Sequence, residues 1–164
     1  MIDILENTIR EQTISVRPAR RSDCRAVARM IEELAKHHGD VPLISEDALR
    51  ASVFTTEPWL TILVAERDER LVGYAGLVRG FKLHFGQRTL DLHHLYIAPD
   101  MRGKGVGRQL IDAATHMART LDCVELTVST QSHNIAAQNT YSACGFVKTQ
   151  NAGNAHFVMD LMTP

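Results

Sequence analysis

Aromatic residues make up only 5% of the 164-residue chain, with a single tryptophan, which is too few for the stacking platforms that hold unpaired bases. Charge of one sign is also missing. A formal net charge of −1 gives no global attraction to nucleic acid or anionic lipid, so an anion-binding site would have to be built locally. There are three cysteines, Cys24, Cys123 and Cys144. Odd in number and widely spaced, they support neither a disulfide framework nor a zinc knuckle, and they suit a reducing compartment. The opening "MIDILENTIREQT" carries early acidic residues and no long apolar run, unlike a secretory signal, and no stretch reads as a membrane span. A cytoplasmic protein is expected, with neither nucleic acid nor membrane as partner.

What is present is ordinary for a soluble globular protein: 45% hydrophobic and 23% charged residues, in a length that suits one domain with a real core. Residues 1–13 are read as an N-terminal extension and residues 14–164 as that domain. A strand over residues 14–20 precedes a helix that Ser22 or Asp23 can cap and Gly39 ends, and Ser45 opens a shorter helix over 45–53. "LTILVAERDERLVGYAGLVRGFKLHF" alternates as two strands about a tight turn at Asp68 and Glu69, with Phe81, Leu83 and Phe85 continuing the second. A strand ending at Pro99, a helix over about 105–120, the strand "CVELTVST" and a helix opened by Asn134 follow. "GFVKTQ" and "AHFVMDL" read as a closing hairpin. The expected fold is α/β, a mixed sheet of six or seven strands with helices on its faces.

The densest chemical signal is "LHHLYIAPDMRGKGVGRQL", which runs from a strand through a proline into Gly103, Gly105 and Gly107, set among Arg102, Lys104 and Arg108 at a helix start. The first turn of a helix leaves N–H groups without partners at an electropositive end. Glycines let neighbouring amides converge, so residues 102–108, Val106 included, are suited to a diphosphate. The spacing is G-x-G-x-G, which is neither a mononucleotide P-loop nor a dinucleotide fingerprint. The strand itself changes phase. In "TLDLHHLYI", Leu90 and Leu92 share one parity, while Leu95 and Ile97 share the other, and a one-residue bulge at His93 and His94 would bring both pairs to the core.

The pattern R-x-x-G-x-G at Arg102, Gly105 and Gly107, together with Asn134, Tyr141, Gly145 and Phe146 in "NIAAQNTYSACGF", resembles the GNAT superfamily of N-acetyltransferases over about residues 14–161. The layout is most similar to its spermidine/spermine and thialysine acetyltransferase branch. The resemblance implies acetyl-CoA as cosubstrate, a fourth strand splayed from the fifth, and pantetheine contacts at Leu95, Tyr96 and Ile97. Asn134 and Tyr141 lie seven residues apart, roughly 10 Å along one helix face, and can line one extended ligand. The expected reaction is direct attack of a primary amine of a small molecule, such as a polyamine, thialysine or an amino acid, through a tetrahedral intermediate.

For that reaction a bulge amide, Leu95 first, can hold the oxyanion, and Tyr141 is the general acid. His93 is the candidate base, at a position where the branch usually carries an acid; that departure weighs against a polyamine. His94 reads as structural, Asn134 also as a helix cap, and His37 and His38 as solvated or dipole-favoured residues at a helix end. Trp59 and His84 are further candidates for the acceptor pocket. No metal site is expected, and a homodimer is, from the exposed third-strand edge and the resemblance. Two alternatives are a protein or peptide acetyltransferase and a CoA-binding sensor without catalysis.

Overall fold

The computed structural model describes residues 13–149. Strand β1 (Ser15–Pro18) leads through a 3-10 turn into helix α1 (Cys24–His38) and then α2 (Glu46–Val53). Gly39 closes α1 in the left-handed conformation, φ 80°, and the Ser45 side chain caps α2 by accepting from the Ala48 amide. Strands β2 (Thr61–Arg67) and β3 (Arg70–Lys82) form a hairpin about Asp68 and Glu69, both at positive φ, the turn geometry that matches strand twist. Strand β4 (Gln87–Ile97), helix α3 (Val106–Thr120), strand β5 (Cys123–Val128) and helix α4 (Ile135–Ala143) complete the described order.

The sheet has the order β1-β2-β3-β4-β5, antiparallel except for the parallel β4–β5 pair. One core lies on the face covered by α3, with Leu90, Leu92, Leu110 and Ile111 buried in it. A second lies under α1 and α2, where Val27 and Leu49 meet Val64, Tyr74 and Tyr96. The architecture is the expected mixed α/β sheet with helices on both faces, but the strand count among the described residues is five rather than six or seven. Residues 146–149 of "GFVKTQ" form no strand, and "AHFVMDL" lies outside the described residues, as does most of the 1–13 extension. Leu83 and Phe85 fall in a 3-10 turn closed by Gly86 at φ 62°, so β3 stops at Lys82.

Candidate active site

The bulge lies in β4. Gly76 of β3 pairs with His94 and the next residue, Leu77, pairs with Leu92, leaving His93 as the extra residue. One inserted residue restores the phase, and Leu95 and Ile97 pack on the same core as Leu90 and Leu92. It also throws His93 and His94 onto one side, where their rings lie parallel, 6° between planes and 5.1 Å between centroids.

Beyond the bulge β4 loses its other neighbour. Pairing with β5 ends at Leu92↔Val128, so the strand from His93 to Ile97 has an open edge on that side among the described residues. Which amides face the opening follows from alternation. The Ala98 amide donates back to the Val72 carbonyl at 2.9 Å, so the Tyr96 amide also faces β3, and those of Leu95 and Ile97 face the gap. Tyr96, taken with them as a contact, therefore differs from its neighbours: its main chain belongs to the β3 ladder and its hydroxyl donates to the Glu33 carboxylate on α1.

The gap widens into a cleft of about 910 Å³, walled by α1, the loop before α3, and α4. At one end, Gly103 (φ 72°) and Gly105 (φ 82°) turn the chain into α3 with open space where side chains would stand. The first helical bond behind the loop is Gln109 N–H to the Gly105 carbonyl at 3.1 Å, which leaves the amides of Val106, Gly107 and Arg108 ahead of the ladder. Two of the three cations are braced. Arg102 Nε donates to the Ile97 carbonyl at 3.1 Å, and Arg108 Nη2 donates to that of Ala143 at 2.9 Å, tying the loop to β4 and α4. Lys104 stands exposed between them. Converging amides, left-handed glycines and surrounding cations fit a diphosphate, and the open strand edge fits an extended amide-bearing chain.

Across from that edge, α4 presents Asn134 and Tyr141 to the cleft. Asn134 caps the helix, its Oδ1 accepting from the Ala137 amide at 3.1 Å. Tyr141 packs edge-on against Phe146, with centroids 5.7 Å apart, and burial pushes its phenol above the ordinary value.

The α1 wall brings Leu34, His37 and His38 to the cleft beside His93 and His94; the two α1 histidines are exposed, as expected, and border the cleft as well. His93 is largely exposed, with Nδ1 3.5 Å from Asp91 Oδ2; the other Asp91 oxygen accepts from Thr127 Oγ1 at 2.7 Å. His94 is half-buried and its Nδ1 lies 3.1 Å from the Tyr74 hydroxyl. Burial lowers the His94 pKa, and the neighbouring His93 and His38 lower it further. Neither Trp59, 82% exposed on the surface, nor His84 in the Leu83–Phe85 turn lines the cleft. Sequence reading missed Tyr74, Glu33 and Asp91: Tyr74 and Glu33 are ordinary residues until folding sets them against His94 and Tyr96, far away in the chain, and Asp91 reaches His93, two residues on, only because of the bulge between them and the β3 register. Among the described residues no three His, Cys, Asp or Glu side chains are grouped to hold a metal, and no helix is long and apolar enough to cross a membrane.

Residues 27–146 match the family described as "Acetyltransferase (GNAT) family". The chain belongs to that family. Acetyl-CoA-dependent N-acetyl transfer is the activity this membership carries, and this chain is such an enzyme. Among its relatives is the thialysine N-epsilon-acetyltransferase of Bos taurus, 31% identical over 142 residues, covering 80% of this chain and 83% of the relative. Another is the L-amino acid N-acyltransferase MnaT of Escherichia coli, 28% identical over 142 residues, 83% of this chain and 81% of that protein. The fold is shared with an aminoglycoside N-acetyltransferase, AAC(6')-Iy, solved with CoA, at a TM-score of 0.73 and 20% identity, covering 91% of this chain and 95% of that one.

Proposed function

We propose that this GNAT enzyme transfers an acetyl group from acetyl-CoA to the primary amine of a small, amino-acid-like acceptor by direct attack in the cleft. The observation that carries the reading is the open edge of β4 from His93 to Ile97, facing Tyr141 and ending at the glycine loop. Acetyl-CoA, when bound, supplies an acetyl thioester already activated toward amines. The loop amides from Gly103 to Arg108, with Arg102 and Lys104, hold the diphosphate. The amides of Leu95 and Ile97 bind the chain that follows it, and the Leu95 amide is the donor available to a developing oxyanion.

Tyr141 gives a proton to the departing thiolate. Its raised pKa keeps the phenol protonated through the neutral range, as a donor must be. The base is one of the paired imidazoles, His93 and His94. Asn134 both caps α4 and borders the cosubstrate side of the cleft.

An amino-acid-like acceptor draws support from two sides. Relatives bear the names thialysine N-epsilon-acetyltransferase and L-amino acid N-acyltransferase. The acceptor end is also lined by four histidines, His37, His38, His93 and His94, a lining better suited to a carboxylate-bearing amine than to a polycation. We read the catalytic unit as one domain over residues 14–164, acting in the cytoplasm as a homodimer. Phe81, Leu83 and Phe85, 57%, 85% and 71% exposed at the far end of the β3–β4 hairpin, support pairing with a second copy.

Thiol release from acetyl-CoA, read across thialysine, lysine, glutamate and spermidine, tests the function. Turnover should favour the amino acids, and Tyr141→Phe should lower kcat by about 100-fold. Acetyl-CoA binding without turnover on any amine, unaltered by Tyr141→Phe, would instead make the protein a CoA sensor.

A further inference from the structure

Resting on the acetyltransferase reading, the geometry points to His94 as the group that takes the ammonium proton, with Tyr74 as its positioning residue. His93, the exposed neighbour, is the lesser partner. Two observations separate the two rings. Their side chains share a face only because of the bulge, so both border the cleft, yet they differ in what holds them. The Nδ1 of His93 turns toward the Asp91 carboxylate at 3.5 Å, while the Nδ1 of His94 turns inward, 3.1 Å from the Tyr74 hydroxyl. Tyr74 is 1% exposed and stacks on Tyr96 at 6.1 Å, so its hydroxyl is fixed by the core and not by solvent.

The two nitrogens of an imidazole lie on opposite sides of the ring. With Nδ1 held from the core side, Nε2 is the nitrogen left for the cleft. Tyr74 can serve the base in both of its states. In the neutral state Nδ1–H donates to the Tyr74 oxygen and Nε2 keeps its lone pair. During the step one ammonium N–H bond breaks and an Nε2–H bond forms. The proton rests on the imidazolium, whose Nδ1–H still donates to Tyr74, and the freed amine keeps the electron pair with which it attacks.

The electrostatic surroundings agree. Burial holds His94 below the usual histidine value, so it is neutral and able to accept at neutral pH. The groups facing it are His93 on its own strand, with Asp91 behind that ring, His38 from α1, and the Tyr74 phenol from β3. Glu33 on α1 is engaged by the Tyr96 hydroxyl. Burial keeps Tyr74 itself un-ionised throughout the working range.

The full-length protein is assayed by thiol release with acetyl-CoA and thialysine, kcat and KM being read from pH 5 to 9 for His94→Gln, His93→Gln and Tyr74→Phe. We expect kcat to fall at least 100-fold in His94→Gln and less than 5-fold in His93→Gln. In Tyr74→Phe we expect kcat to fall about 10-fold at unchanged KM, with the acid limb moved to lower pH because the imidazolium loses its acceptor. A defect in packing alone would leave that limb where it was. Nitrogen-15 histidine spectra of unliganded protein provide a readout independent of turnover. They should show His94 as the Nδ1–H tautomer, and Tyr74→Phe should abolish that preference. A His94→Gln enzyme that keeps its rate, or a neutral His94 protonated on Nε2, would overturn this assignment and leave acetyl transfer intact. Absence of turnover with every amine in the wild-type protein would overturn the underlying reading instead.

Discussion

A Cβ placed on Gly73 would lie 2.7 Å from the carbonyl oxygen of Tyr96, closer than folded chains allow. The contact is backbone, on the strand that borders the cleft, and has no flexible end to give way. Gly73→Ala should therefore push β4 near the end of its open edge, beside Ile97. A loss of about 1–3 kcal/mol in stability is expected by thermal melting, together with a drop in kcat that lysine or thialysine at saturation does not restore.

Gly103 and Gly105 face open space, so the cost of a methyl group there comes from the backbone. At φ 72° and 82° an alanine is strained by about 1–2 kcal/mol. Each substitution should weaken acetyl-CoA binding in calorimetry while leaving the sheet intact. Gly107 provides the contrast. Its added Cβ would make ordinary 3.8 Å contacts with Ile97, so Gly107→Ala should melt within a few degrees of wild type, and any loss of affinity reports the methyl group in the cleft.

The two tasks of Asn134 can be separated. Asn134→Ala removes the cap on the Ala137 amide and should cost about 1 kcal/mol. Asn134→Asp keeps the cap and its melting temperature but adds a negative charge on the cosubstrate side. Its acetyl-CoA affinity should fall below that of Asn134→Ala; equal affinities would confine Asn134 to capping.

Two groups make the fold sensitive to acid. His94 titrates lower in the folded protein than in the unfolded chain because burial opposes its charge, so between those two values the unfolded chain holds the extra proton. Stability contributed by neutral His94 is full above the ordinary value of about 6.5 and is lost as pH falls through this window. For Asp23 burial acts to raise the pKa, but the hydrogen bonds from Arg17 and the Arg20 amide outweigh it and lower the net value. Its contribution is present above the unfolded carboxylate value and disappears below it. Urea midpoints should decline in two stages on acidification, with His94→Gln flattening the upper stage and Asp23→Asn the lower.

Much of this was legible before folding because it is local. The parity break between Leu92 and Leu95 announced the bulge, Ser45 and Asn134 announced their helices, and the glycines with Arg102 marked the start of α3. What the sequence could not display depends on distance in the chain. Tyr74 looks like any strand tyrosine until the hairpin sets it diagonally across from His94, and Glu33 looks like any helix-surface acid until α1 lies over Tyr96. That the exposed His37 and His38 also border the cleft is hidden in the sequence for the same reason. Arg102 and Arg108 are visible in the sequence as cations beside the glycines, but the carbonyls of Ile97 and Ala143 that brace them come from other elements.

The early end of the β4–β5 ladder at Leu92 and Val128 has a further consequence for how the protein breathes. A cosubstrate lying along that edge would act as a temporary extra strand, mending the sheet where the described strands leave it torn. Deuterium uptake at Leu95 and Ile97 would then slow sharply on cosubstrate binding, while Tyr96, already held by β3, would hardly change.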